Sequence, residues 1–229
     1  EEAKASLTDL GGSGMSVMEI SHRSKAFDTI ATEAEADLRE LMGISDDYSV
    51  LFLQGGATQQ FALLPMNLCA TGQSADYLVT GSWSKKAYKT AASVIEPNLV
   101  ADGAASSYTD VPPMSEWKLN PDAAYFHMCQ NETIGGVEYF WTPQVDVPLV
   151  ADMSSTILSR PTQVDEFGVI YAGAQKNIGP SGLTLVIVRR DLLDRASALC
   201  PAMLNWQVAA DNQSMYNTPP TLALYLAAL

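Results

Sequence analysis

Apolar residues recur along residues 24–42 at the three- and four-residue spacing of an amphipathic helix. The apolar positions of this stretch are Phe27, Ile30, Ala31, Ala34, Leu38, Leu41 and Met42. Gly43 follows directly, and glycine is common just after the last turn of a helix. The pattern therefore predicts a helix over 24–42 that buries one apolar stripe and ends at Gly43.

Downstream, short apolar runs alternate with longer stretches of helical character. The runs that predict buried strands are SVLFLQ (49–54), DYLVT (76–80), AAYFHMC (123–129), VPLVAD (147–152), GVIYA (168–172) and LTLVIVR (183–189). Glycine turns connect the first two runs to helical stretches at 58–68 and 82–94. This order predicts an α/β fold with a mostly parallel central sheet flanked by helices. Ligands of such sheets bind at the carboxyl ends of the strands.

Composition and charge limit the classes of protein to which the chain can belong. The chain has 229 residues, of which 47% are hydrophobic, enough for one large α/β domain or two small ones. It carries 13 Lys+Arg against 26 Asp+Glu, a net charge of -13, which argues against a nucleic-acid or anionic-membrane surface. Neither a signal peptide nor a run of 18 apolar residues is visible, so no membrane association is expected.

The cysteines and the chain ends give two further expectations. Cys69, Cys129 and Cys200 are widely spaced and include no CxxC pair, which argues against a disulfide framework or a zinc site and favours a reducing, cytoplasmic setting. The chain has no initiator Met and stops within TLALYLAAL, an apolar stretch typical of a helix. We therefore expect a chain that is incomplete at both ends.

Lys176 occupies an unusual setting for a lysine. It lies between the runs GVIYA and LTLVIVR, in a connection that contains Gly173, Gly179, Pro180 and Gly182. Such a connection is a tight turn, so the amine is predicted to be fixed at a strand end and desolvated. A desolvated lysine amine loses its proton more easily than the free side chain and often forms Schiff bases.

Asp152 ends the apolar run VPLVAD, where a buried carboxylate needs a partner. For Asp152 alone, a helix cap or a local ion pair is the simpler interpretation. Lys176, however, follows at the next predicted strand end, and a buried acid beside a buried amine suits pyridoxal phosphate. The acid would keep the ring nitrogen protonated, and the lysine would bind the cofactor covalently and transfer protons.

Other candidates are weaker when taken one at a time. The Gly55-Gly56 turn precedes a helix whose N-terminus could bind phosphate, but it has neither a GxGxxG nor a GK[ST] motif. Trp83 follows another strand and could stack on a flat ring, although tryptophans at such positions are more often core residues.

Polar residues near predicted strand and helix ends form a further group. Asn131 and Thr133 follow a strand and could bind a ligand or simply form a turn, the turn being favoured for Asn131. His22 and Arg23 precede the first long helix and could bind an anionic substrate, although an exposed arginine is the default. His127 lies within a strand and is predicted to be a packed histidine rather than a catalyst.

Several motifs together resemble one family. The segments SHRSKAF, LQGGATQQFALLPMNL, NETIGGVE, ADMSSTILSRP, GAQKNIGPSGLTLVIVR and SMYNTPPT are similar, in this order, to motifs of the phosphoserine aminotransferases, fold-type I enzymes that depend on pyridoxal phosphate. The resemblance implies that residues 1–229 are the cofactor-binding large domain, without the family's N-terminal segment and small C-terminal domain. That C-terminal domain supplies basic residues to the substrate pocket, and Thr58 replaces an arginine of many bacterial members.

The resemblance also implies a role for each matching residue. Lys176 would bind the cofactor covalently, Asp152 would pair with its ring nitrogen, Trp83 would stack on the ring, and Thr133 would contact the side of its phenolic oxygen. Ala57, Thr58 and Gln175 would bind the cofactor phosphate, and Asn217 and Thr218 would reach the phosphate in the other subunit of a homodimer. Arg23 would bind the substrate carboxylate, and His22 would assist at the substrate phosphate.

The implied reaction converts L-glutamate and 3-phosphohydroxypyruvate to 2-oxoglutarate and O-phospho-L-serine, in L-serine biosynthesis and, in many bacteria, pyridoxine biosynthesis. Two alternatives stay open. One is another fold-type I enzyme, such as a cysteine desulfurase-like protein, for which the apolar setting of Cys200 is unfavourable. The other is a fragment that binds the cofactor without turnover. A nucleotide-binding domain that uses Gly55 and Gly56 is weaker, because it leaves Lys176 and Asp152 unexplained.

Overall fold

A computed structural model describes residues 1–229. The strands are β1 (Tyr48–Leu53), β2 (Asp76–Val79), β3 (Asn98–Asp102), β4 (Phe126–Cys129), β5 (Leu149–Asp152), β6 (Val169–Gly173) and β7 (Thr184–Arg189). The helices are α1 (Glu2–Ser6), α2 (Lys25–Met42), α3 (Gly56–Leu68), α4 (Ser82–Ala91), α5 (Trp206–Asp211) and α6 (Thr221–Ala228). Short 3-10 turns lie at Gly103–Ser106, Met114–Glu116, Val164–Glu166, Arg190–Arg195 and Ala202–Leu204.

The seven strands form one sheet in the order β1-β7-β6-β5-β4-β2-β3. β7 pairs antiparallel with both β1 and β6, and the remaining pairs are parallel. The predicted α/β fold with a mostly parallel sheet is therefore confirmed. β4, β5 and β6 lie side by side and run in one direction, so their carboxyl ends reach the same edge of the sheet.

Helices cover both faces of the sheet, which explains why its central strands are continuous apolar runs. On one face, α2 and α6 contribute Phe27 and Leu224 to the larger of two buried clusters. On the other face, Phe61 of α3, Ala87 of α4 and Trp206 of α5 belong to the second cluster. Every residue of β4, β5 and β6 is buried as a result.

The predicted helix over 24–42 is confirmed as α2. Ser24 caps it by accepting a hydrogen bond from the Phe27 N–H at 3.3 Å. Gly43 ends the helix with a φ of 65°, a left-handed conformation that glycine adopts without strain. The predicted apolar stripe is wrong at Leu41, which is 71% exposed, because this position lies outside the face that packs on the sheet.

The six predicted strands are confirmed, although several begin later than the apolar runs. β3 was not predicted, because its sequence NLVAD is short and only one of its five residues is buried. It lies at the outer edge of the sheet, where one side of a strand has no partner.

None of the helices combines the length and the apolar character that a membrane span requires.

His127 is a buried core residue of β4, as predicted. Its Nε2 atom and the Tyr171 hydroxyl share a hydrogen bond of 2.8 Å, and its ring stacks on Tyr77 at 4.9 Å between centroids. Nδ1 has no hydrogen-bond partner. Burial lowers the pKa of His127 to about 3, so the imidazole is neutral in the folded protein at ordinary pH.

His127 should make the stability of the full-length protein depend on pH. The unfolded chain takes up a proton on this residue below a pH of about 6.5, whereas the folded chain does so only near pH 3. Stability is therefore lost as the pH falls through that window. Between pH 7 and pH 5, urea unfolding should show a loss about 2 kcal/mol larger in the wild type than in His127→Gln. Equal slopes for the wild type and His127→Gln would contradict the assignment.

Candidate active site

The connection between β6 and β7 holds Lys176 in a fixed loop. Its base is closed by a hydrogen bond from the Ala174 N–H to the Leu183 carbonyl at 3.0 Å, and the Gly179 N–H donates to the Ala174 carbonyl at 2.9 Å. Gly182 has a φ of 105°, which a residue with a side chain rarely adopts. The predicted tight turn around Lys176 is confirmed.

The Lys176 side chain is exposed in this chain, so the prediction of a buried, desolvated amine is wrong. Lys176 lies with Gln175 and Asn177 in the exposed part of the turn that follows the end of β6. The amine nevertheless has two specific neighbours. It donates a hydrogen bond to the Thr133 hydroxyl, and it lies 4.9 Å from the centre of the Trp83 ring. The ammonium therefore lies over an aromatic face and between two other elements.

Asp152, the last residue of β5, is buried as predicted. One of its carboxylate oxygens accepts from the Ser154 N–H at 3.0 Å and from the Ser154 hydroxyl at 2.6 Å. The same hydroxyl accepts from the Gly173 N–H at 3.0 Å, which ties the ends of β5 and β6 together. These donors satisfy a carboxylate that would otherwise be costly to bury.

The charge of Lys176 acts on both Asp152 and Cys129. Burial raises the pKa of Asp152 above its ordinary value, and the hydrogen bonds from Ser154 and the charge of Lys176 oppose that rise. Burial also raises the pKa of Cys129, the register partner of Asp152 on β4, and the charge of Lys176 lowers it. Both charges are therefore close enough to the end of β4 to act on Cys129.

Trp83 lies in the first turn of α4 and is half-buried, not a fully packed core residue. Its backbone N–H donates to the Glu132 carboxylate at 2.8 Å. Its indole Nε1 has no hydrogen-bond partner. With its ring facing Lys176, Trp83 can form one wall of a slot for a flat ring.

Residues 130–139 form a hairpin that carries Thr133. Asn131 pairs with Glu138 in an isolated bridge, so it has the structural role that was favoured for it. Thr133 is exposed at the turn and contacts Lys176. The sequence interpretation missed Glu132, a fully buried acid between these two residues. A carboxylate next to polar residues after a buried strand is the signal that could have identified it.

The N-terminus of α3 lies beside the end of β6. Gly55 and Gly56 have φ values of 92° and 70°, and no side chain caps the helix. A Cβ atom at Gly173 would lie 3.3 Å from the Ala57 nitrogen and 2.7 Å from the Gln175 amide oxygen. Ala57 and Gln175 therefore meet at Gly173, with Thr58 next along α3. Uncapped N–H groups at a helix start suit an anion.

Asn217 and Thr218 lie in the exposed segment that precedes α6. The Gln54 side chain donates to the Thr218 carbonyl at 2.5 Å. Asn217 lines a cavity of about 230 Å³ together with Gln54 and Gly55. These contacts bring the segment close to the start of α3 within one chain, and a contact with another subunit stays a prediction.

His22 and Arg23 lie at the turn before α2. Arg23 is exposed and His22 is half-buried. The Arg23 backbone N–H donates to the Ser21 hydroxyl, but no hydrogen bond or ion pair links either side chain to Lys176 or Asp152. Their predicted contact with substrate stays a prediction.

The strand-end site therefore combines a buried carboxylate, an accessible amine and an aromatic wall beside an uncapped helix N-terminus. A flat aromatic ring that carries a phosphate would meet a complementary group on each side. These features fit the cofactor that the sequence predicts, and they supply one group able to transfer protons, the Lys176 amine.

Comparison with known proteins identifies the family. Residues 1–229 match the family model described as aminotransferase class-V. The chain is 59% identical over 228 residues to a phosphoserine aminotransferase of Pseudomonas syringae pv. syringae, and the match covers 99% of this chain and 63% of the relative. The chain thus spans about 63% of the length of that curated relative.

Solved structures give the same relationship. The fold matches phosphoserine aminotransferase from Bacillus circulans subsp. alkalophilus with a TM-score of 0.95 and 45% identity, over 99% of this chain and 63% of that one. It also matches a PLP-bound phosphoserine aminotransferase from Trichomonas vaginalis with a TM-score of 0.95 and 43% identity, over 99% and 64% of the two chains. With the family model matching along its whole length, the chain belongs to the class-V aminotransferases.

Proposed function

We propose that the full-length protein is a phosphoserine aminotransferase that uses pyridoxal phosphate. It would transfer the amino group between L-glutamate and 3-phosphohydroxypyruvate, giving 2-oxoglutarate and O-phospho-L-serine for L-serine biosynthesis. The observation that carries the proposal is the grouping of Lys176, Asp152 and Trp83 in a chain 59% identical to a phosphoserine aminotransferase. Because the chain spans about 63% of that relative, substrate and activity belong to the whole protein.

The site residues fit pyridoxal phosphate in shape and charge. When bound, this cofactor supplies an aromatic ring that withdraws electrons from the substrate carbon that reacts. Asp152 would bind the ring nitrogen, Trp83 would stack on one face, and Thr133 would contact the side of the phenolic oxygen. Support comes from the burial of Asp152, which strengthens a charge interaction with a ring nitrogen.

The cofactor phosphate would bind at the start of α3. Ala57 and Thr58 would donate from the first turn of the helix, and the Gln175 side chain would add a polar contact. The support is the absence of a side-chain cap on α3 and the close approach of Ala57 and Gln175 to Gly173. Phosphate is favoured there by the free N–H groups and by the positive end of the helix dipole.

Lys176 would act through its Nζ atom in both binding and proton transfer. It would hold the cofactor covalently until the amine of the incoming substrate takes its place, and the freed amine would then take the proton from the substrate α-carbon and later donate it back. The exposure of the Lys176 amine suits this role, because incoming substrate must reach it. Thr133 and Trp83 limit where the amine can lie.

Substrate contacts and assembly complete the proposal. Arg23 would bind the substrate carboxylate through its planar fork of donors, and His22 would assist at the phosphate. Asn217 and Thr218 would reach the cofactor phosphate of the other subunit, which makes the protein a homodimer with shared sites. A cytoplasmic location, and a second role in pyridoxine biosynthesis, fit this activity.

The cysteine chemistry of the desulfurase alternative has no support in the structure. Such an enzyme needs a thiolate on an accessible loop. Burial raises the pKa of Cys69 to about 12, and it also raises the pKa values of Cys129 and Cys200. None of the three thiols is activated, and the transaminase proposal is therefore favoured.

Covalent labelling tests the role of Lys176. The full-length protein should be yellow as purified, and borohydride reduction should fix the cofactor to Lys176, as shown by mass spectrometry of the peptides. Lys176→Ala should abolish the label and slow transamination by at least about a hundredfold, because proton transfer by a positioned group contributes about that much or more. Lys89→Ala, an exposed lysine of α4, is the matched control and should keep both properties. Label on another lysine would overturn the assignment.

Neutralising Asp152 tests the second half of the site. Asp152→Asn keeps the side-chain shape but removes the negative charge that would face the ring nitrogen, so kcat should fall by about a hundredfold or more. Steady-state conversion of 3-phosphohydroxypyruvate with L-glutamate measures the effect. Asp146→Asn, an exposed acid before β5, should retain normal activity. Cofactor binding in the wild type without any transamination would support the non-catalytic alternative instead.

A further inference from the structure

Glu132 makes an unusual set of contacts for a fully buried acid. Its carboxylate accepts hydrogen bonds from the Trp83 N–H and the Ser84 N–H, both at 2.8 Å, and from the Ser84 hydroxyl at 2.5 Å. No lysine or arginine forms an ion pair with it. Its partners therefore all come from the first turn of α4.

These contacts make Glu132 the N-terminal cap of α4, supplied from another part of the chain. The local cap position is Gly81, which has no side chain to donate or accept. Trp83 and Ser84 are the second and third residues of the helix, whose N–H groups a capping side chain ordinarily binds. A negative charge at this helix end is also favoured by the helix dipole.

This arrangement requires glycine at position 81 for steric reasons. A Cβ atom at that position would lie 2.6 Å from the Glu132 carboxyl carbon and 2.7 Å from one of its oxygens. The φ of Gly81 is 173°, an extended value that any residue can adopt, so the backbone conformation does not demand glycine. The absence of a side chain at Gly81 thus serves the close approach of Glu132.

Backbone hydrogen bonds within the hairpin also hold Glu132 in place. Its N–H donates to the Val137 carbonyl at 2.8 Å, and its carbonyl accepts from the Gly136 N–H at 2.6 Å, which closes the hairpin. The next residue is Thr133, which contacts Lys176. The Glu132 carboxylate therefore links the first turn of α4, which carries Trp83, to the hairpin that carries Thr133, and these two residues flank the Lys176 amine.

We propose that Glu132 is a positioning residue that holds Trp83 and Thr133 at a fixed separation around Lys176 and so orients the cofactor ring. This inference rests on the proposed function. Glu132 itself touches neither the Lys176 amine nor the Asp152 carboxylate by a hydrogen bond. It acts through the backbone of Trp83 and through the hairpin that carries Thr133.

The experiment uses substrate-free, full-length protein with and without added pyridoxal phosphate. Glu132→Gln replaces one acceptor oxygen by an amide that cannot accept, and Gly81→Ala displaces the carboxylate without altering its chemistry. Both should weaken the visible circular dichroism of the bound cofactor and raise its dissociation constant by about fivefold to tenfold, the loss expected for one cap. Ser24→Ala, which removes the cap of α2, should lower the urea midpoint but leave both cofactor measurements unchanged.

Two further measurements separate positioning from general stability. In a Trp83→Ala background, the Glu132→Gln effect on cofactor dichroism should shrink, because the ring that Glu132 would position is absent. Hydrogen exchange in the apoprotein should quicken in both the 81–85 and the 131–138 segments of Glu132→Gln. Additive effects, or wild-type dichroism and affinity in Glu132→Gln and Gly81→Ala, would overturn the inference.

The exchange measurement also distinguishes the two levels of the proposal. If the wild-type protein binds no pyridoxal phosphate, the proposed function fails, and the role of Glu132 toward the cofactor ring fails with it. Exchange in the apoprotein still decides whether Glu132 joins the two segments. If the cofactor binds and the Glu132→Gln protein behaves as the wild type, only the positioning role is overturned.

Discussion

The parallel register of β4, β5 and β6 is the constraint on which the site depends. Cys129, Asp152 and Tyr171 are register partners on adjacent strands, so β4 and β5 end at one level and β6 continues two residues further, to Gly173. Connections that leave these ends must pass over the same edge of the sheet. The hairpin with Thr133 and the loop with Lys176 converge there for that reason, although they are 43 residues apart.

The burial of Asp152 is the second constraint on the structure. A carboxylate in this position requires donors, and Ser154 provides two of them while accepting from the Gly173 N–H. The single hydroxyl of Ser154 thereby links the acid to the strand that leads into the Lys176 loop. The acid is thus linked through the backbone to the Lys176 loop, and no ion pair joins it to the amine.

Sequence patterns predicted the elements that depend on local periodicity. The apolar runs predicted six strands, and the spacing of Phe27, Leu38 and Met42 predicted α2, because burial of a strand or of a helix stripe leaves a regular trace. β3 left no such trace, since only one of its five residues is buried. The antiparallel direction of β7 was likewise not predicted, because an apolar run carries no sign of its partner's direction.

The site was predictable only where a residue type implied its own chemistry. Lys176 and Asp152 stood out because glycines or apolar runs surround them, whereas the exposure of Lys176 depends on how the turn after β6 packs, which the sequence does not show. Glu132 was missed for a different reason: its partners at Trp83 and Ser84 are backbone and hydroxyl groups 49 and 48 residues away. A side chain that caps a distant helix is most visible in the sequence at the start of the helix it caps. Here the visible feature is Gly81, a helix-start residue whose missing side chain makes room for a carboxylate from a distant hairpin.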